Sequence, residues 1–581
     1  MRAYLKFLRR TRSAILEEYG TPLRFCRSLL RSRPSGLAAD AVAYLEDMTA
    51  EVRDYAIAST YTLMIGADRR QALSAYFTPP ALAKAAIVAA EPFLAARPEG
   101  LVLDPACGGG SFLVPIAEHL IRRKAKGKMP TEEVCAGVLR RMRGLEIDRG
   151  LAALSEDLLT AMLRREFGYK RPKSSVAVRA ADSLTVAIEE RFDLIVGNPP
   201  YGKVGKHADA ALLSRAGSAN IGGHTNLYGL FLLRSLDWLK PGGGLVFIVP
   251  TSFVAGPYFA GLRREILARA QVTRIDHHEQ RADLFIDAVQ DVCLLVLRRR
   301  TLAREQIDGP YMLGWIDADG ARHDLGAATA APEGEPWTLP VRAGVIAASS
   351  PRQTPQHPRS YVLADYGYRL RVGKVVPTRE RERLLTVRSK TSLPLVWASD
   401  VRPDGSFAFA TAQRATVCPW YEPPTPDPAY ATRVGSVLLQ RTSNRDQPRR
   451  LNAAAVSSSF LAEHAKHGFV AENHVIVLEM AAEQPSVPPA ALAAILNSAV
   501  VNQRFSAVSG SFSVSARLLS RLALPDPDLL PSCSVKDEEF EGALRAAFAG
   551  VPHVLASLES PGDAQDAIHE AGHLLSRSAI N

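Results

Sequence analysis

From residue 71 to about residue 300 the chain alternates short apolar runs with amphipathic stretches. Leu101-Val-Leu103, Arg143-Gly-Leu-Glu-Ile147, Val176-Ala-Val178, Asp193-Leu-Ile-Val196, Gly244-Leu-Val-Phe-Ile-Val249 and Val292-Cys-Leu-Leu-Val-Leu297 read as strands. Helical patterns lie between most of them, which predicts an α/β unit with a mostly parallel sheet and helices on both faces. Ligands of such sheets bind beyond the carboxyl ends of the strands, so the chemistry is sought there.

The flanks have other textures. Residues 1–70 mix basic and apolar positions with helix formers such as Ala41 to Met48 and predict a helical segment. Residues 301–360 are rich in Ala, Gly and Pro and read as a linker or peripheral segment. Residues 361–530 predict an α+β domain with turns and arginine clusters, among them Arg379-Glu-Arg-Glu-Arg383 and Gln440-Arg-Thr-Ser-Asn-Arg445. Residues 531–581 read as a helical tail, and no internal repeat is present.

A length of 581 residues calls for roughly two to four domains. With 47% apolar and 22% charged residues the composition is that of a globular protein. No apolar run reaches the roughly 18 residues of a membrane span, and the basic, mixed start has no apolar core or cleavage site of a signal peptide. The six cysteines are scattered without a CxxC pair, which fits a reducing cytoplasm and argues against a zinc ribbon or a disulfide framework. A net charge of +10 is compatible with a polyanionic partner.

The strand ends carry the chemistry. Asp104-Pro-Ala106-Cys-Gly108-Gly-Gly110-Ser-Phe112 follows the first strand and opens a helix, with glycines where the backbone must turn sharply and approach a ligand. The loop lacks the Lys-Ser/Thr of a Walker loop and the GxGxxG spacing, and its opening acid would repel phosphate and welcome a cation. A cationic nucleoside such as S-adenosylmethionine fits better. Glu146, at the end of the second strand, is placed to accept from ribose hydroxyls, and Asp182, after the third, to receive an adenine amino group. At the end of the fourth strand, Asn198-Pro199-Pro200-Tyr201 makes a stiff polar pocket for a flat ring with an exocyclic amino group.

These residues together resemble the adenine-N6 DNA methyltransferases, in the gamma order of motifs and of the restriction–modification kind. Tyr76-Phe77-Thr78-Pro-Pro80 resembles the family's first cofactor motif, Asp104 to Phe112 its glycine loop, Glu146 and Asp182 its next two acids, and Asn198 to Tyr201 its catalytic tetrapeptide. The resemblance is strongest over residues 70–300. It is looser over 361–530, where Gly435 to Thr442 and Glu472-Asn-His474 are similar to target-recognition domains. The 42 residues from Asp104 to Glu146 leave room for an extra basic helical piece.

The resemblance implies a Rossmann-like S-adenosylmethionine-dependent fold and methyl transfer to N6 of an adenine flipped out of double-stranded DNA. Hydrogen bonds from the amino group to Asn198 and to the Pro199 carbonyl would ready the nitrogen for in-line attack, with Tyr201 on one face of the base and Phe285 on the other. It also implies DNA contacts by Arg441 and Arg445, and a separately encoded restriction endonuclease as partner. The same tetrapeptide serves enzymes that methylate RNA or a protein glutamine. That substrate class is the alternative, disfavoured by the long C-terminal half.

One further motif, His569-Glu570-Ala571-Gly572-His573, matches the HExxH zinc pattern. Only eight residues follow it, leaving almost no room for a third ligand, and Gly572 weakens the helix it requires, so no metal site is expected.

Overall fold

A computed structural model of the chain describes residues 1–66, 69–70, 77–169, 178–202, 226–256, 259–278, 291–301, 309–329, 337–339, 360–409, 418–442, 449–481, 483–507, 509, 513–531, 538–549 and 551. The chain divides into two compact units, Met1–Ser349 and Ser350–Asn581.

The first unit is built on one nine-stranded sheet of order β3-β2-β1-β4-β5-β7-β6-β8-β9. Its strands are β1 (Val102–Asp104), β2 (Met142–Glu146), β3 (Val178–Ala180), β4 (Phe192–Gly197), β5 (Leu239–Pro250), β6 (Ala270–His278), β7 (Val292–Arg299), β8 (Pro310–Ile316) and β9 (Arg322–Thr329). From β3 to β5 all neighbours are parallel. β7 then runs antiparallel to both β5 and β6.

The central strands are apolar at consecutive positions because both faces are covered. Leu194, Val196, Val246 and Ile248 join one core with the helices Pro80–Ala96, Leu113–Ala125 and Arg149–Phe167. Their neighbours Ile195, Leu245, Phe247 and Val249 join the opposite core with the helices Leu227–Trp238 and Ala260–Arg269. The four N-terminal helices Arg2–Tyr19, Pro22–Leu29, Leu37–Ala43 and Ala50–Met64 bury Tyr4, Phe25, Ala38, Ile57 and Tyr61 in the first of these cores. Residues 1–64 are therefore mostly helical and pack against the first unit's core.

The segment expected to be a linker departs from that expectation. Residues 310–329 form the hairpin β8–β9, and β8 pairs parallel with β6. Strand β6 itself had no apolar run to mark it. The reason is an ion-pair cluster: fully buried Asp276 on β6 accepts from Arg274 Nε at 2.6 Å and from Arg322 Nε at 2.8 Å. Charged residues that pair inside the sheet interrupt the apolar pattern by which a strand is recognised.

The second unit is α+β. One four-stranded sheet, β10-β17-β14-β15, is antiparallel throughout and comprises Tyr368–Val372, Val475–Met480, Ser436–Gln440 and Ala453–Ala455. A second has the order β11-β13-β12-β16, with Leu384–Leu385, Trp420–Tyr421, Leu393–Val396 and Val470–Ala471. The helices Pro489–Asn497, Ala499–Ser506, Ala516–Ser520 and Glu538–Ala547 pack on the first sheet's core. Among the described residues no helix is long and apolar enough to cross a membrane.

Candidate active site

At the end of β1 the chain turns through Pro105–Ser111 into the helix Leu113–Ala125. Gly108 (φ 50°) and Gly110 (φ 82°) take left-handed conformations that a side chain would strain. Space also requires glycine: a Cβ on Gly108 would lie 2.8 Å from the Phe77 ring, and one on Gly109 2.5 Å from the Ala58 side chain.

Glu146 ties this loop to the next strand. One carboxylate oxygen accepts from the Gly108 amide at 3.0 Å, the other from the Asp148 amide at 2.9 Å. Burial pushes its carboxyl up from the ordinary value, with the amides of Asp148 and Gly108 pulling the other way. Asp148 caps the helix Arg149–Phe167, its Oδ1 accepting from the amides of Gly150 and Leu151. After β3, Asp182 accepts from the Leu184 amide at 2.9 Å, and the Ser183 hydroxyl donates to the Pro105 carbonyl at 2.5 Å.

At the end of β4, Asn198 and Pro200 are half-buried and Pro199 is buried. The Tyr201 hydroxyl donates to the Asn198 side-chain oxygen at 2.5 Å. Its ring meets Tyr228 edge-on, with centroids 6.2 Å apart. Burial pushes the Tyr201 phenol well above its usual range, so it stays a donor at any working pH.

A cavity of about 290 Å³ joins these turns across the carboxyl ends of β3, β2, β1 and β4. It is lined by Phe77, Thr78, Ala106 and Gly108, by Glu146 and Asp182, and by Asn198 and Pro200. Leu227, Phe231, Ile147 and Ser183 complete much of its wall. Sequence reasoning missed these four. The apolar pair at i, i+4 in Asn226-Leu-Tyr-Gly-Leu-Phe231 was the available signal for two of them.

Other expected residues stand behind the wall. Asp104 does not line the cavity; it is fully buried, with Oδ1 accepting from the Ala106 amide at 3.0 Å. Its Oδ2 has no hydrogen-bond partner among the described residues. Burial, with Glu146 nearby, pushes its carboxyl up to about 8 against the pull of the Ala106 amide. Gly110, Pro199 and Tyr201 also lie outside the lining. Arg441 sits in the second unit, its guanidinium donating to the Asn473 carbonyl at 3.1 Å. Tyr76, Phe285, Arg445 and His569 to His573 lie outside the described residues, among which no cluster of ligand side chains could hold a metal.

The parallel strands open their carboxyl ends onto one cavity, where ligands of open α/β sheets bind. Residues 160–285 match the Eco57I restriction-modification methylase family, and residues 79–216 match the RMKL-like methyltransferase domain. Both matches lie within the first unit.

Similar proteins include the type II methyltransferase M.BsuBI of Bacillus subtilis, 24% identical over 372 residues that cover 60% of this chain and 68% of that one. The type II methyltransferase M.TthHB8I of Thermus thermophilus is 32% identical over 206 residues, 34% of this chain and 39% of that one. Among solved structures, the type IIL restriction-modification enzyme MmeI in complex with DNA aligns with a TM-score of 0.49 at 14% identity, covering 93% of this chain and 85% of that one.

Proposed function

We propose that this protein transfers a methyl group from S-adenosylmethionine to N6 of an adenine flipped out of duplex DNA, as the modification component of a restriction–modification or related defence system. A separately encoded endonuclease is the partner that such a system implies. The observation that carries the reading is one cavity lined by Glu146, Asp182, Asn198 and Pro200 together. Acceptors for a nucleoside and acceptors for an amino group then face the same space.

The residues present fit the cofactor. The cavity beside the glycine loop is lined by Phe77, Thr78, Ala106 and Gly108, and Asp104 Oδ2 beneath that loop is a buried oxygen with no hydrogen-bond partner among the described residues. When bound, S-adenosylmethionine supplies an electrophilic methyl group on a sulfonium. Glu146 would accept from the ribose hydroxyls, Asp182 from the adenine amino group of the cofactor, and Asp104 would favour the cationic end through the loop above it. Tyr76, Phe77, Thr78, Ala106 and Gly108 would shape the surrounding wall, and Gly110 would turn the loop behind it.

The exocyclic nitrogen of adenine is a weak nucleophile because its lone pair is delocalised into the ring. Asn198 and the Pro199 carbonyl would accept its two protons, localise the lone pair and stabilise the positive charge that develops on nitrogen. Pro200 and the proline-fixed turn hold that geometry, so catalysis is by positioning, without a covalent intermediate. Extrusion of the base costs a few kcal/mol. Stacking on Tyr201 and Phe285 would return roughly 1–3 kcal/mol per ring. Arg441 and Arg445 of the second unit would contact the DNA.

The test is incubation of the protein with labelled S-adenosylmethionine and duplex DNA, followed by hydrolysis and identification of the methylated base. N6-methyladenine is expected, and it should be lost in Asn198→Ala while cofactor binding persists. Label appearing only in RNA or in protein glutamine would overturn the reading.

A further inference from the structure

The helix Ala50–Met64 lies outside every motif that marks the cofactor site, yet three observations bind it to that site. Its Ala58 side chain sits where a Cβ on Gly109 would fall, at 2.5 Å, so the middle glycine of the loop is fitted to this helix. Its Tyr61 occupies the space above Gly150, where a Cβ would come within 2.1 Å of the hydroxyl. That hydroxyl donates to Asp148 Oδ1 at 2.7 Å. Just past the helix, Arg69 donates to the other oxygen, Asp148 Oδ2, at 2.8 Å.

Asp148 is the relay. Its own amide holds Glu146, and its carboxylate caps the helix that follows β2. Burial pushes its carboxyl up, but the Tyr61 hydroxyl, the amides of Leu151 and Gly150, and Arg69 outweigh this and leave it below the usual range. It is therefore an anion at neutral pH, a strong acceptor fixed by four donors. Charge-assisted bonds of this kind hold geometry more tightly than neutral ones.

We infer that Tyr61 and Arg69 are positioning residues for the nucleoside: through Asp148 they fix the Glu146 carboxylate against the glycine loop, making the N-terminal helices part of the cofactor site. The inference rests on the reading of Glu146 as the acid that receives the ribose. It requires that the distance between the loop after β1 and the turn after β2 be set by a third element, and the helix Ala50–Met64 touches both.

The test is calorimetric titration of the full chain with S-adenosylmethionine, together with melting temperature and separate KM values for cofactor and DNA. Tyr61→Phe should weaken cofactor affinity about ten-fold, and Arg69→Gln, whose side chain is 64% exposed, about two-fold. The KM for cofactor should rise in step, while kcat at saturating cofactor and the KM for DNA stay unchanged. Arg27→Gln removes another link from the N-terminal helices to the same helix, the 2.7 Å pair with Asp157, and should leave cofactor affinity unaltered.

Unchanged cofactor affinity in Tyr61→Phe and Arg69→Gln would overturn the inference, whatever happens to the melting temperature. So would an equal loss in Arg27→Gln, which would mean general loosening. Glu146→Gln separates the two levels. If it weakens binding and Tyr61→Phe does not, only the positioning role falls. If neither does, the ribose role of Glu146 falls first.

Discussion

The two units spend their polar residues differently. In the first, side chains far apart in sequence converge on one cavity because parallel strands deliver their carboxyl ends to one edge: Glu146 ends β2, and Asp182 and Asn198 follow β3 and β4. In the second, Arg379 and Arg381 of one arginine cluster are exposed, while other arginines bond into the scaffold. Arg371 bonds to Thr432 and to the buried Glu479, Arg449 to the Asn497 carbonyl at 3.2 Å, and Arg504 to the Val551 carbonyl at 2.7 Å. A motif at a strand end is placed by the topology of the sheet. A cluster of arginines has no such rule, and its members divide between scaffold and surface.

The comparison breaks most visibly at Asn198. Asn198→Ala should lower kcat at least about 10³-fold, with cofactor affinity within a few-fold of the parent, measured by single-turnover transfer. A comparable loss of cofactor binding would mean that this turn belongs to the nucleoside end of the cavity.

The next effect concerns protons. Asp104 has its carboxyl raised to about 8 by burial, above its unfolded value. Its burial is therefore tolerated best below the unfolded pKa of about 4, and the stability of the free protein should fall as pH rises from about 4 to about 8 and level off beyond. A cationic ligand would favour the ionised form, so cofactor affinity should rise as pH approaches 8, by at most about ten-fold per unit. Asp104→Asn should flatten both profiles. An unchanged affinity profile in that variant would remove Asp104 from cofactor recognition.

Smaller effects sharpen the other side of the contrast. Arg371→Ala should cost on the order of 2 kcal/mol of stability in denaturant titration, since it removes a partner of a buried carboxylate. Arg441→Ala should weaken DNA binding, with a modest loss of stability from its bond to Asn473. Arg388, exposed and 5.0 Å above the Trp420 ring, tests the surface class. Arg388→Ala should leave the melting temperature unchanged and reduce the salt dependence of DNA binding by about one unit of slope if it meets a phosphate.

The sequence made β1, β2, β4 and β7 legible within a residue or two, and β5 from Gly244 onward, because each is an apolar run; the first five residues of β5, Leu239–Gly243, hold a proline and two glycines and gave no such signal. The edge of the sheet was not legible. Asp276 is paired there with both Arg274 and Arg322, Arg274 also meets Asp324, and an ion pair between β6 and β9 leaves no trace in either segment alone. In the site, glycines and acids identified the loop and its neighbours. That Asp104 would lie beneath the loop, and Asp148 be held by a helix some ninety residues earlier, depends on packing and could not be read from spacing.

The hairpin β8–β9 has a practical consequence. The sequence pattern invites a cut near residue 300, where the last apolar run ends. A fragment ending there would bare the outer edge of β6, which β8 now covers through five paired positions from Arg274 to His278. It would also strip Asp276 of one of its two cations. An open strand edge is a template for pairing with other chains, so such a fragment should precipitate or self-associate, whereas one carried past Thr329 should stay dispersed.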